Sequence, residues 1–114
     1  SACCRYNHRL AVFSRADGRF QRVLGVGHAS YSPAGFNQPS DACVDGDLLF
    51  IADRSNHRVV VLDRRTGSYR HHLGFTRESG SDVHHFNSPT SVCVDGPHLY
   101  VADLENGRIL KLLK

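Results

Sequence analysis

Apolar residues in this chain come in short runs, each halted by glycine, aspartate or asparagine. Ala42 to Val44, Leu48 to Ala52, Arg58 to Leu62 and Tyr69 to Leu73 follow one another in this way. Short runs bounded by turn chemistry are the signature of strands. Asp45-Gly46 after the first run is a two-residue hairpin signal. The polar Asp53-Arg54-Ser55-Asn56 ends the second, a turn carrying Gly67 follows the third, and Gly74 closes the fourth. No stretch holds a helical period, so the pattern predicts four consecutive antiparallel strands.

The pattern is then repeated. Phe36 to Arg64 reappears without a gap as Phe86 to Lys114, with Pro39/Pro89, Cys43/Cys93, Asp45-Gly46/Asp95-Gly96 and Ala52-Asp53/Ala102-Asp103 in step. Asn7-His8-Arg9 also runs to Leu24-Gly25 as Asn56-His57-Arg58 runs to Leu73-Gly74. The first segment supplies a third strand (Arg9 to Phe13) and a fourth (Phe20 to Leu24), with Ser1 to Tyr6 where a second would end. The last segment supplies Ser91 to Val94, Leu99 to Ala102 and Arg108 to Leu113. Residues 1–114 therefore read as one repetitive segment: a partial unit over 1–25, a complete one over 36–74, and one over 86–114 lacking its fourth strand. The linkers Val26 to Gly35 and Phe75 to His85 have the composition of exposed loops.

Four-stranded units at this period stack radially as blades of a β-propeller. The fold class is thus all-β: consecutive four-stranded antiparallel blades in an incomplete ring, since about two and a third blades cannot close one. The remaining blades are expected from flanking sequence or from another chain.

These residues resemble the NHL-repeat family of propellers. Its signature stands as Phe50-Ile51-Ala52-Asp53 with Asn56-His57-Arg58-Val59, and again as Tyr100-Val101-Ala102-Asp103 with Asn106-Gly107-Arg108-Ile109. Phe36/Pro39 and Phe86/Pro89 match the lead-in to each repeat. Cys4 stands where the first unit would carry the signature aspartate. The repeat is somewhat longer than the usual NHL unit, and the extra length falls in the linkers. The resemblance implies an interaction platform. Relatives bind proteins or RNA and occur in ubiquitin ligases, translational repressors and bacterial receptor ectodomains. A minority of similar propellers, such as peptide-amidating lyases, are enzymes with metal-binding histidines around the channel.

Composition narrows this only a little. The formal charge is +3, and basic residues are mostly arginine, twelve against Lys111 and Lys114. Arginine's planar fork suits phosphate and carboxylate, yet a net charge this small is ordinary for a soluble surface. No apolar run approaches the roughly 18 residues that span a bilayer, so membrane insertion is not expected. Cys43 and Cys93 recur at one place within apolar runs, as small buried hydrophobes do. Cys3-Cys4 matches neither a zinc spacing nor a disulfide framework. Free thiols point towards a reducing, cytoplasmic compartment. The chain starts at Ser1 within a repeat, so its lack of a targeting segment tells little.

Asp53, Asn56 and Arg58, with Asp103, Asn106 and Arg108, recur in successive units and so read as structural: carboxylate, amide and guanidinium holding local backbone. Candidate binding residues follow from parity. In an antiparallel meander the connection between strands two and three lies at the same end as the linker between units. That end collects Arg54 and His57, then His28 and Tyr31, then Arg77, Glu78, His84 and His85. The alternative for each is a solvated rim with no ligand. His71-His72 point to opposite faces of a strand and do not easily share one ion. No metal site, cofactor or catalytic residue is assigned; nothing assembles a nucleophile with its base. The expected function is non-catalytic protein binding through the loop-rich face, with RNA binding or a metal-dependent lyase or hydrolase as alternatives.

Overall fold

A computed structural model describes residues 2–4, 8–13, 16–33 and 35–114, with residues 2–4 and 13 followed as backbone. Among the described residues ten strands form three antiparallel sheets: β1 (Ala2–Cys4), β2 (Arg9–Phe13) and β3 (Phe20–Gly25) in the first, then β4 (Pro39–Asp45), β5 (Leu48–Asp53), β6 (Arg58–Asp63) and β7 (Tyr69–Gly74) in the second. The third holds β8 (Pro89–Asp95), β9 (His98–Asp103) and β10 (Arg108–Leu113), and in every sheet neighbours in sequence are neighbours in space. There is no α-helix among the described residues. The chain is therefore a succession of antiparallel propeller blades in an incomplete ring. Of the Ser1 to Tyr6 stretch expected to end a second strand, β1 covers Ala2–Cys4; Ser1, Arg5 and Tyr6 lie outside the described residues.

Three strand starts differ from the sequence expectation: β9 begins one residue early, at His98, and the other two shifts are larger. β4 and β8 begin at Pro39 and Pro89, ahead of the apolar runs, because each proline pairs across to the signature aspartate (Pro39↔Asp53, Pro89↔Asp103). An extra residue, Ser40 or Thr90, then bulges before regular pairing resumes. Proline is tolerated as a first strand residue because its missing donor falls outside the ladder. The tight turn is also shifted by one residue. Asp45 pairs with Leu48, which leaves Gly46-Asp47 as the turn, with Gly46 at φ +58°. A glycine at the first central position carries the positive φ a twist-matched hairpin needs.

The core lies between the sheets. In β5 and β6, Ile51 and Val60, with Leu49 and Leu62, face the first sheet and pack with Leu10 and Phe36. Phe50 and Val61, with Ala52 and Val59, face the third and pack with Phe86, Val92, Leu99 and Val101. Successive residues on a strand point to opposite faces, so a strand buried on both is apolar throughout. β10 shows the contrast. It holds the place of β6, yet burial alternates along it, and Ile109 is 71% exposed on its outer side. Cys93 lies on that same outer side and is exposed, contrary to the expectation of a buried thiol, because nothing among the described residues packs over it. Cys43 is half-buried beside the second-to-third sheet core, and burial, helped by Asp41, pushes its thiol up to about 11.

Candidate functional site

The signature residues form a clamp on the linker. Asp53 ends β5 and sits fully buried; its Oδ2 accepts from Arg58 Nε at 2.7 Å and Asn56 Nδ2 at 2.9 Å, while Oδ1 accepts from the Asn37 amide at 2.8 Å. Burial pushes the Asp53 carboxyl up, opposed by the Asn37 amide, Asn56 and Arg58. All three partners donate, and a guanidinium touches one oxygen, so the ionised form is the one this geometry fits. Arg58, 1% exposed, sends Nη2 to the carbonyls of Ser32 and Gly35, each at 2.8 Å, and Nη1 to Thr76 Oγ1 at 3.2 Å. Asn56 Nδ2 also donates to Ser30 O at 2.7 Å. A loop that would otherwise be loose is thus held at its backbone carbonyls.

The third sheet repeats the arrangement with Asp103, Asn106 and Arg108. Arg108 Nε reaches Asp103 Oδ2 at 2.8 Å, and its other nitrogens reach Ser81, Asp82 and His85 carbonyls. In the first sheet Cys4 pairs with Arg9 in the register of Asp53 with Arg58. There Arg9 Nε is buried with no hydrogen-bond partner among the described residues.

The expected binding residues gather at one end, but several are already engaged. His57 sits in the left-handed region at φ +57°, and its Nδ1 accepts from the Ser88 amide at 3.0 Å. His8 does the same for Gln38 one unit earlier. Burial lowers the His57 pKa, which keeps the ring neutral and able to accept. His85 stacks on Phe75 at 4.4 Å and bonds Asp82 at 2.8 Å, an arrangement that holds the Asp82 carboxyl below its usual range. Arg54 is half-buried, with Nη1 at 3.5 Å from Gln38 Oε1 and Nε buried without a partner among the described residues. His84 is exposed.

Tyr31 and Arg77 come together from different linkers. The Arg77 guanidinium carbon lies 4.6 Å above the Tyr31 ring, which is 61% exposed. The pair divides two clefts of about 480 and about 340 Å3. The larger is also lined by Pro33, Arg58, Tyr69, His72 and Thr76. Tyr69 Oη and His72 Nδ1 are 2.6 Å apart. Sequence reasoning missed this last pair, because residues three apart on a regular strand face opposite ways. Here Arg70 bulges: Leu62 pairs with Tyr69 and Val61 with His71. One extra residue restores a common side. Nothing in the sequence marks that bulge. Among the described residues no three of His, Cys, Asp or Glu gather as a metal site would require, and no helix is long and apolar enough to cross a membrane.

Comparison with known proteins fits the repeat geometry. The NHL repeat family matches residues 36–62 and 86–112, the stretches that hold the two complete clamps. Those two stretches are NHL repeats. NHL repeat-containing protein 2 of Bos taurus is 33% identical to this chain over 69 residues, covering 54% of it and 10% of the relative. The Homo sapiens protein is 30% identical over the same share of each. The chain spans about a tenth of the length of these curated relatives. Among solved structures, an auxiliary nutrient binding protein from Bacteroides thetaiotaomicron superposes with a TM-score of 0.60 at 18% identity, over 93% of this chain and 32% of that one. That likeness concerns the fold alone.

Proposed function

We propose that this NHL-repeat segment is a non-catalytic interaction scaffold that binds a protein partner through its loop-rich end. One observation carries the reading: Arg58 and Arg108 pin the linker carbonyls, while Tyr31, Arg77 and His84 project from those linkers exposed to solvent. Uncommitted side chains on a backbone held this firmly are what a recognition surface needs, because little conformational freedom is lost when a partner docks. The opposite end presents tight turns such as Gly46-Asp47 and Gly96-Pro97, whose residues are all exposed but offer no cleft among those described above.

A photo-crosslinking residue placed at 31 or 84 tests this against the same residue at 46 or 96. Expected are discrete protein adducts from 31 and 84, unchanged by nuclease treatment, and background alone from 46 and 96. Equal adducts from both ends, or none from either, overturn the reading. Adducts at 31 and 84 that vanish with nuclease replace the protein partner with RNA.

A further inference from the structure

We propose that the cleft between Tyr31 and His72 receives a single acidic side chain of a protein partner, a carboxylate or a phosphorylated residue, with Arg77 as its anion-binding group. This rests on reading the loop-rich end as a protein-binding surface.

The donors come first. Among the described residues Arg77 makes no ion pair and no side-chain hydrogen bond; its guanidinium lies over Tyr31. Stacking occupies a face of the guanidinium and leaves its rim of N–H groups open, in the plane that matches two oxygens of an anion. Arg58 also lines the cleft, but Asp53 neutralises it and its nitrogens are spent on Ser32, Gly35 and Thr76. The Thr76 hydroxyl accepts from Arg58 and keeps its own proton to give. His72 shares Nδ1 with the Tyr69 hydroxyl. Burial, with Arg58 and His71 nearby, lowers the His72 pKa, so the ring is a neutral acceptor for the phenol and carries its proton on Nε2. Guanidinium, hydroxyl and imidazole N–H make a set rich in donors, set among Tyr31, Pro33 and Tyr69. A group with only acceptors fits it.

The number of free charges decides between partners. A nucleic acid is held by several phosphates at once. At this end Arg58 and Arg108 are tied to Asp53 and Asp103, Arg54 is half-buried, and His85 is bonded to Asp82. Glu78 stands next to Arg77 in the chain and is exposed. One exposed guanidinium without an ion pair among the described residues, flanked by a carboxylate, suits one anion better than a row of them. The cleft, about 480 Å3, has ample room for a side chain.

Arg77 also holds a left-handed backbone, φ +64°, in the turn closed by the Glu78 amide on Phe75 O at 2.9 Å. Glycine takes that conformation without strain, and the Arg77 amide bond to Asn56 O would survive. Arg77→Gly is therefore a variant that removes the guanidinium while easing the fold.

The experiment is an NMR titration of the chain, reading the Arg77 side-chain N–H and the Thr76 and Tyr31 signals. The probes are hexaglutamate, a peptide of equal length bearing one phosphoserine, and hexauridylate. Expected is a saturable shift at Arg77 with at least one peptide, weakened about tenfold in Arg77→Gly and less in Arg77→Lys, which keeps charge without the fork. Arg65→Ala, at the opposite end, should bind like the parent. Which peptide saturates distinguishes carboxylate from phosphate. Failure of both peptides to saturate Arg77, unchanged affinity in Arg77→Gly at an equal or higher melting temperature, or tighter saturation by hexauridylate each overturns the proposal. Failure here with nuclease-resistant adducts still forming at residues 31 and 84 condemns the cleft and leaves the protein-binding reading intact.

Discussion

Asp53 and Asp103 make the same bonds but not in the same surroundings. The Arg58 side chain is 1% exposed, whereas that of Arg108 is 27% exposed. Removing the charge of a buried partner leaves the other ion without water or counter-ion, which costs about 3–5 kcal/mol. Asp53→Asn is expected to cost that much in urea denaturation, and Asp103→Asn clearly less, since water reaches Arg108. Equal losses would mean that the aspartates act through the Asn37 and Asn87 amides, which they hold at 2.8 and 2.6 Å, and not through the arginines. The structural role of these residues was legible in the sequence because they recur; recurrence argues for a job every unit needs. What they hold was not. The partners of Arg58 are carbonyls of Ser32 and Gly35, and a carbonyl has no letter of its own in a sequence.

At the scale of the element, each unit closes on a glycine against which the next unit's phenylalanine packs. A methyl group at Gly74 would meet the Phe86 ring at 2.7 Å and His57 O at 2.8 Å, and the residue sits at φ +89°. Gly25 stands in the same relation to Phe36. Gly74→Ala is expected to cost about 3 kcal/mol, left-handed strain plus overpacking. Gly27→Ala, at φ +81° with open space around it, should cost about 1 kcal/mol from strain alone. Thermal melts of the two variants would show the difference, and equal shifts would mean that the Phe86 ring moves aside freely. Strand order and pairing could be read from apolar runs because each sheet joins sequence neighbours. Strand starts and the Arg70 bulge could not, since they depend on which residue lies opposite. The same limit explains the site. Parity placed Tyr31 and Arg77 at one end, but the Tyr69 and His72 wall needed a register that only pairing reveals. His57 looked available by type and position until its Nδ1 proved bound to the next unit's Ser88 amide.

Across the whole molecule, acid should loosen the stack before it touches the carboxylates. His57 and His72 have pKa values lowered from 6.5, in both cases chiefly by burial. Between the folded value and 6.5 the unfolded chain binds more protons than the folded one, so stability rises with pH there. The contribution is present above pH 6.5 and is lost as pH falls through the lower folded values. Asp63 and Asp82, lowered from 3.8 mainly by hydrogen bonds from Thr66 and His85, add a later loss in the same direction. Unfolding midpoints measured from pH 7.5 to pH 5 should therefore drop, and His57→Gln should flatten part of that drop. A midpoint that is constant over this range would mean that neither ring is held neutral by the fold. One ring is bonded to the following unit and the other lines the Tyr31 cleft, so the pH response also reports on the proposed site.

The arginine clamp has a consequence for how such chains grow. Every linker carbonyl that Arg58 and Asn56 grip, from Ser30 through Gly35, lies upstream of those two residues and downstream of the preceding unit. A gene segment copied from just after Gly25 to Gly74 would thus carry the carbonyls it fastens, needing from its neighbours a glycine to receive its phenylalanine, a histidine to accept from the Gln38 amide and a threonine for Arg58 Nη1. A copy cut between Gly35 and Pro39 would part the guanidinium from what it fastens. Duplication of this chain has a natural joint, and it lies inside the loop, ahead of the first strand.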